Sequence, residues 1–163
     1  MAITKHRAGE LVIEQTRELA RVRGMLARAG MMTDGIEWPA ACYILAYVGD
    51  EAVGVIGVES KIDAALIRSL CVNESMRRRG IGGALIAAAR KAAHTRGARH
   101  LYLFSTEAGA FFERHGFTKA AVADAIAAIP GVPQVEYYRA RPDELAREVA
   151  YHLDISGDGV IER

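Results

Sequence analysis

Along the chain, the spacing of apolar residues switches between a period of two and a helical period. Residues 11–15, LVIEQ, read as a short strand. From Thr16 onward Leu19, Val22, Leu26 and Ala29 recur at helical spacing, with Thr16 as the expected cap and Gly30 as the stop. MMTDGIEWPA breaks the pattern at Asp34-Gly35 and Pro39 and predicts a loop. Three strand-like runs follow, CYILAYV, AVGVIGVE and AALIRSLCV. Their linkers are too short for parallel crossovers, so residues 42–72 predict an antiparallel meander.

Ile81 to Thr95 predicts a helix with Leu85, Ala88, Ala89 and Ala92 on its apolar stripe and Arg90 and Lys91 toward solvent. HLYLFS is the next buried strand, and the strand-helix-strand order places it parallel to LIRSLCV. EAGAFFERHG predicts a second helix, ended by Gly116. FTKAA and QVEYYRA predict a closing pair of strands, and Pro142 to Leu153 a last helix with Leu145, Val149 and Leu153 four apart. The expected fold class is α/β, of the α+β kind: a mixed, mostly antiparallel sheet with one central parallel pair, flanked by helices.

Length and charge narrow the classes. A chain of 163 residues predicts one domain over 1–163, with the C-terminal helix and tail at about 142–163. Such a chain buries roughly 70% of its unfolded surface. With 21 basic and 20 acidic residues the net charge is +1, which argues against a nucleic-acid partner. Cys42 and Cys71 sit in apolar stretches and read as packed thiols rather than a disulfide, and no metal site is expected from them and five scattered histidines. No stretch approaches the length of a membrane span and no export signal precedes the first strand, so the expectation is a cytoplasmic protein without a membrane partner.

Positive charge concentrates at MRRRGIGG, where Arg77, Arg78 and Arg79 stand before Gly80, Ile81, Gly82 and Gly83. A glycine-rich turn entering a helix exposes unpaired N–H groups at the positive end of the helix dipole, and arginine adds phosphate donors. The alternative is a solvated arginine face with glycines that only pack. Glycine costs about 1 kcal/mol in a helix, which favours anion binding here. A P-loop is excluded because no Lys-Ser/Thr pair follows the glycines. The dinucleotide fingerprint GxGxxG is half present, with Glu107 ending the next strand as a ribose acceptor. Its third glycine is Leu85, and seven residues separate Val72 from Gly80.

Arg77 to Gly82 resembles the R/Q-x-x-G-x-G/A loop of the GNAT superfamily of acyl-CoA-dependent N-acetyltransferases. LIRSLCVNESMRRRGIGGALI is similar to that superfamily's strand, loop and helix, and LYLFSTEAGAFFERHGF to its following strand and A-x-x-F-[YF]-x-x-x-G-F signature. Together the similarity covers roughly residues 10–140. MLARAGM, VGVIGVE, LIRSLCV and the Phe111-Phe112 pair further resemble its arsenic-resistance branch, whose members include enzymes that acetylate an arsenic-containing amino acid.

The resemblance implies acetyl-CoA as cosubstrate, no metal, and direct transfer to the primary amine of a small molecule. It implies that the parallel pair splays to admit the thioester. Leu70, Cys71 and Val72 would pair with the pantetheine arm, Arg77–Gly83 would hold the pyrophosphate, and Phe112 would also contact the cofactor. Phe112 occupies the position where many members carry a tyrosine acid, which leaves Ser105, Thr106, Tyr138 or water to reprotonate the thiolate. Glu59, at the end of an apolar run, is the candidate base; the alternative is a solvated residue at a turn. Arg68, in mid-strand, needs a partner, either a carboxylate such as Glu59 or an anionic group of the acceptor. Two other functions stay open, a dinucleotide-binding oxidoreductase and a non-catalytic acyl-CoA-binding module. The apolar face of the last helix needs a partner, either the body of the domain or a second subunit, and the resemblance implies a homodimer.

Overall fold

The computed structural model describes residues 6–159. The strands are β1 (Leu11–Thr16), β2 (Ala41–Val48), β3 (Glu51–Ser60), β4 (Ala64–Val72), β5 (His100–Phe104), β6 (Thr118–Ala120) and β7 (Ala150–Asp154). They form one sheet in the order β1-β2-β3-β4-β5-β7-β6. Every neighbouring pair is antiparallel except β4 with β5. The expected meander and the single parallel pair are both present.

The helices are α1 (Leu19–Arg28), α2 (Ile81–Thr95), α3 (Gly109–Arg114), α4 (Val122–Ala128), α5 (Pro133–Arg139) and α6 (Pro142–Leu145). They cover both faces of the sheet, which explains why the central strands read as continuous apolar runs. Ile44 and Ala46 of β2 pack with Leu85 and Ala89 of α2 on one face. Tyr43, Leu45 and Tyr47, alternating with them, pack with Val22 and Leu26 of α1 on the other. Leu66 of β4 meets Val132 and Val135 at α5. No helix among the described residues is long and apolar enough to cross a membrane.

Three expectations are corrected. Thr16 ends β1 instead of capping α1; its Oγ1 accepts the Glu18 N–H at 3.0 Å, and the helix begins at Leu19. QVEYYRA is helix α5 and not a strand. Pro133 at the first turn starts it, and Val135 and Tyr138, three apart, give it a buried face that overrides the strand preference of Val and Tyr.

The third correction is the last helix. It stops at Leu145, and the chain continues as β7, inserted between β5 and β6. Val149 and Leu153 are four apart, a spacing that fits a helix and a strand equally. Tyr151 and Ile155 complete the period of two, and all four side chains join the α2-side core. Val149 and Leu153, expected on a helix face needing the domain body or a second subunit, belong instead to a segment built into the sheet. FTKAA does form a strand, and its partner is β7.

Candidate active site

β4 and β5 pair only from Ala64–Leu66 to His100–Tyr102; beyond that point the two strands part. On its other side β4 carries a bulge. Gly57 faces Arg68 and Val55 faces Cys71, so Ser69 and Leu70 together oppose Ile56. Ser69 takes a left-handed backbone, φ 61°. The bulge re-aims the strand where it leaves β5, and the edge of Leu70–Val72 toward β5 has no strand partner.

Two cavities flank this splay. The outer one, about 580 Å³, is lined by Leu70, Cys71, Val72, Arg77, Arg78 and Gly80–Gly83, among others. The inner one, about 380 Å³, is lined by Arg68, Ser105, Phe112, Gln134, Tyr138 and Glu148, among others. They share Met31, Leu70, Ala108 and Phe111 as walls and so meet at the splay.

The outer cavity ends on the first turn of α2. Gly80 is the N-cap in a left-handed conformation, φ 78°, and no side chain caps the helix. No acidic residue occupies its first turn. The leading N–H groups are therefore free to meet an anion at the positive end of a 15-residue helix. Gly82 leaves room for a close approach: a Cβ there would lie 3.0 Å from Phe111 Cζ, and the ring would have to give way. Arg77 Nε donates to the Val72 carbonyl at 3.1 Å and ties the loop to the end of β4. Arg79 does not line the cavity.

Phe112 is buried at 6% exposure, edge-on to Phe117 and tilted against Tyr151. It walls the inner cavity only, so the aromatic that reaches the glycine loop is Phe111 and not Phe112, from which the cofactor contact is expected. Ser105 Oγ accepts the Ala108 N–H at 3.1 Å, in the turn between β5 and α3. Cys71 is a free half-buried thiol, and burial pushes its pKa up.

Glu59 is fully buried, which removes the solvated-turn reading. Its Oε2 accepts from Arg68 Nη1 at 3.0 Å and its Oε1 accepts the Gln134 N–H at 3.2 Å. Burial pushes its carboxyl up, against the pull of Arg68 and the Gln134 N–H. It lines neither cavity. The expected water-linked base is thus a carboxylate whose two oxygens are both engaged inside the protein.

Arg68, 3% exposed, is held on all sides. Beyond Glu59, its Nη1 donates to the Asp34 carbonyl at 2.8 Å, its Nη2 to the Met32 carbonyl at 3.4 Å and its Nε to Ser69 Oγ at 3.0 Å. Of the two partners expected for it, the protein carboxylate is the one present.

Tyr138 and Glu148 went unpaired in the sequence because their segments were assigned the wrong elements. The Tyr138 hydroxyl donates to Glu148 Oε1 at 2.6 Å, beside the Phe104 ring. Burial and this bond to a carboxylate push the phenol well above its ordinary range.

Residues 39–119 match the family model of the acetyltransferase (GNAT) domain. N-acetylglutamate synthase from Neisseria gonorrhoeae, complexed with coenzyme A and N-acetyl-glutamate, is similar in structure with TM-score 0.70 at 16% identity. That match covers 91% of this chain and 36% of the synthase, so the chain spans little more than a third of that relative. A Mycobacterium tuberculosis protein in complex with CoA matches with TM-score 0.67 at 18% identity, over 88% of this chain and 99% of the other. A GNAT-family acetyltransferase from Staphylococcus aureus matches with TM-score 0.66 at 14% identity, over 90% and 99%. Comparison with curated protein sequences gave no match. These findings support the superfamily and do not reach the narrower resemblance to the arsenic-resistance branch.

Proposed function

We propose that this chain, whose residues 39–119 match the acetyltransferase (GNAT) domain model, transfers an acetyl group from acetyl-CoA to the primary amine of a small molecule. The observation that carries this reading is the meeting of the two cavities at the β4–β5 splay. One cavity ends on an uncapped helix start suited to a pyrophosphate, and the other has room for an amine. The CoA-bound neighbours support the same cosubstrate. In this reading the protein works in the cytoplasm, where acetyl-CoA is at hand.

The free N–H groups of Gly80–Gly83 and the guanidiniums of Arg77 and Arg78 receive the pyrophosphate. The unpaired edge of Leu70, Cys71 and Val72 hydrogen-bonds the pantetheine arm as an added strand and leads the thioester into the splay. There the neutral amine nitrogen attacks the thioester carbonyl carbon. The C–N bond forms, an oxyanion develops and is held by a backbone N–H of the bulge, and the C–S bond then breaks. The thiolate leaves with the bonding pair and takes a proton, and the nitrogen gives one up. Ser105 lies at the inner cavity and is our candidate for a proton to the thiolate. Glu59 and Arg68 enter by holding the wall that carries Gln134 and Ser69.

Thermal unfolding with acetyl-CoA, and in parallel with NAD, tests the reading. At about 100 times its dissociation constant a ligand adds roughly 2.7 kcal/mol. Stabilisation by acetyl-CoA, with amine-dependent thiol release, is the expected result. Stabilisation by NAD alone would favour a dinucleotide site, and acetyl-CoA binding with no thiol release on any amine a non-catalytic module.

A further inference from the structure

We infer that the inner cavity selects a cationic acceptor without a carboxylate, best a diamine whose second ammonium sits on Glu148. This rests on the acetyltransfer reading above and names its acceptor class. Three charged side chains line the cavity, Arg68, Glu107 and Glu148. Arg68 would recruit a carboxylate only if its guanidinium were available. Four of its five N–H donors are bonded within the protein, and Glu59 cancels its charge from behind at 3.0 Å with both side chains shielded from water.

What remains is the charge of two carboxylates. Glu107 is exposed, while Glu148 is half-buried. Glu148 Oε1 already takes the Tyr138 hydroxyl, and the carboxylate keeps lone pairs for further donors. Gln134 adds an acceptor, since its Oε1 is buried in the same wall with no hydrogen-bond partner. A buried acceptor without a donor costs free energy, which a ligand N–H recovers. A carboxylate here meets two like charges and a guanidinium already neutralised by Glu59, so the cavity discriminates by repulsion as well as by attraction.

In the reaction, one nitrogen of the diamine, deprotonated, attacks the thioester carbonyl. The other stays an ammonium on Glu148, and the proton from the attacking nitrogen leaves to solvent. Products are the mono-acetylated diamine and free coenzyme A.

Three probes of equal chain length separate the possibilities: 1,4-diaminobutane, n-butylamine and 4-aminobutanoate, with L-glutamate added. Binding to this chain saturated with coenzyme A is measured by calorimetry, and kcat/KM by thiol release. The expected order is diamine, then butylamine, then the two carboxylates, with about tenfold or more between the ends. Glu148→Gln keeps an acceptor for Tyr138, and it should shrink the diamine-to-butylamine ratio about fivefold with an unchanged affinity for coenzyme A. Equal binding of all four probes, or preference for either carboxylate, overturns this inference. Loss of coenzyme A binding itself would overturn the acetyltransfer reading instead. A ratio that Glu148→Gln leaves untouched removes Glu148 from the role.

Discussion

Glu59 and Arg68 form an ion pair 3.0 Å long with neither side chain open to solvent. Through it β3 and β4 are tied to the Met32 and Asp34 carbonyls and to the first turn of α5. The pair thus fixes two walls of the inner cavity, with Arg68 on its lining and Glu59 behind it. Removing one member leaves an uncompensated buried charge, which costs about 3–5 kcal/mol. Glu59→Leu and Arg68→Met should each lower stability to urea by that order, and the double variant should recover most of the loss. Additive losses in that cycle would mean that the two side chains do not act as a unit.

The first turn of α2 makes a different prediction, in which stability and binding part company. Alanine at position 82 gains about 1 kcal/mol of helix propensity. Its Cβ would lie 3.0 Å from Phe111 Cζ and must push that ring aside. Gly82→Ala should therefore leave the unfolding midpoint within a few degrees of the parent. It should weaken acetyl-CoA binding about tenfold, because a methyl stands where a phosphate approaches N–H groups. Calorimetric titration checks this; an unchanged affinity would move the pyrophosphate off this turn.

The half of the fold that was legible in the sequence is the half where each signal has one meaning. The meander is bounded by short linkers, and Ile81–Thr95 is bounded by glycine before and Arg96 after a long apolar stripe. The glycine-arginine loop was legible because anion chemistry needs those residue types together. The C-terminal third was not. Val149 and Leu153 satisfy two periods at once, and only the gap between β5 and β6, which is tertiary, decides for the strand. The β4 bulge left no local mark either, since Ser69 takes φ 61° without being a glycine. With α5 and β7 misassigned, the Tyr138–Glu148 contact and the trans cap of Glu59 on Gln134 were out of reach.

Arg90, expected in solvent, reaches across to the chain's end. Its Nη2 donates to Asp158 Oδ1 at 2.6 Å, and its Nε bonds the other carboxylate oxygen. These bonds hold the Asp158 carboxyl below its ordinary value. Its folded pKa is depressed, so the contribution is present above the unfolded aspartate value of 3.8 and fades as pH falls through the lower folded value. Both partners are partly exposed, which limits the pair to about 1 kcal/mol. Arg90→Ala should thus be less stable than the parent by up to about that amount at pH 7. In strong acid, well below pH 3, the two denaturation curves should converge; a gap that persists there would assign the loss to packing of the arginine stem.

Arg78 joins the two themes of strain and charge. It is a non-glycine residue at φ 64° in the loop that leads to Gly80, and its side chain lines the outer cavity. A left-handed backbone costs an ordinary residue roughly 1 kcal/mol, and glycine nothing. Arg78→Gly should accordingly hold or raise the unfolding midpoint while it removes a phosphate donor. The expected loss in acetyl-CoA affinity is about five- to tenfold and should shrink as salt screens the pairing. Arg79, which lines neither cavity, supplies the comparison: Arg79→Ala should lose clearly less. Equal losses from the two variants would mean that the loop attracts the cosubstrate through its overall charge, with no particular guanidinium placed on the phosphate.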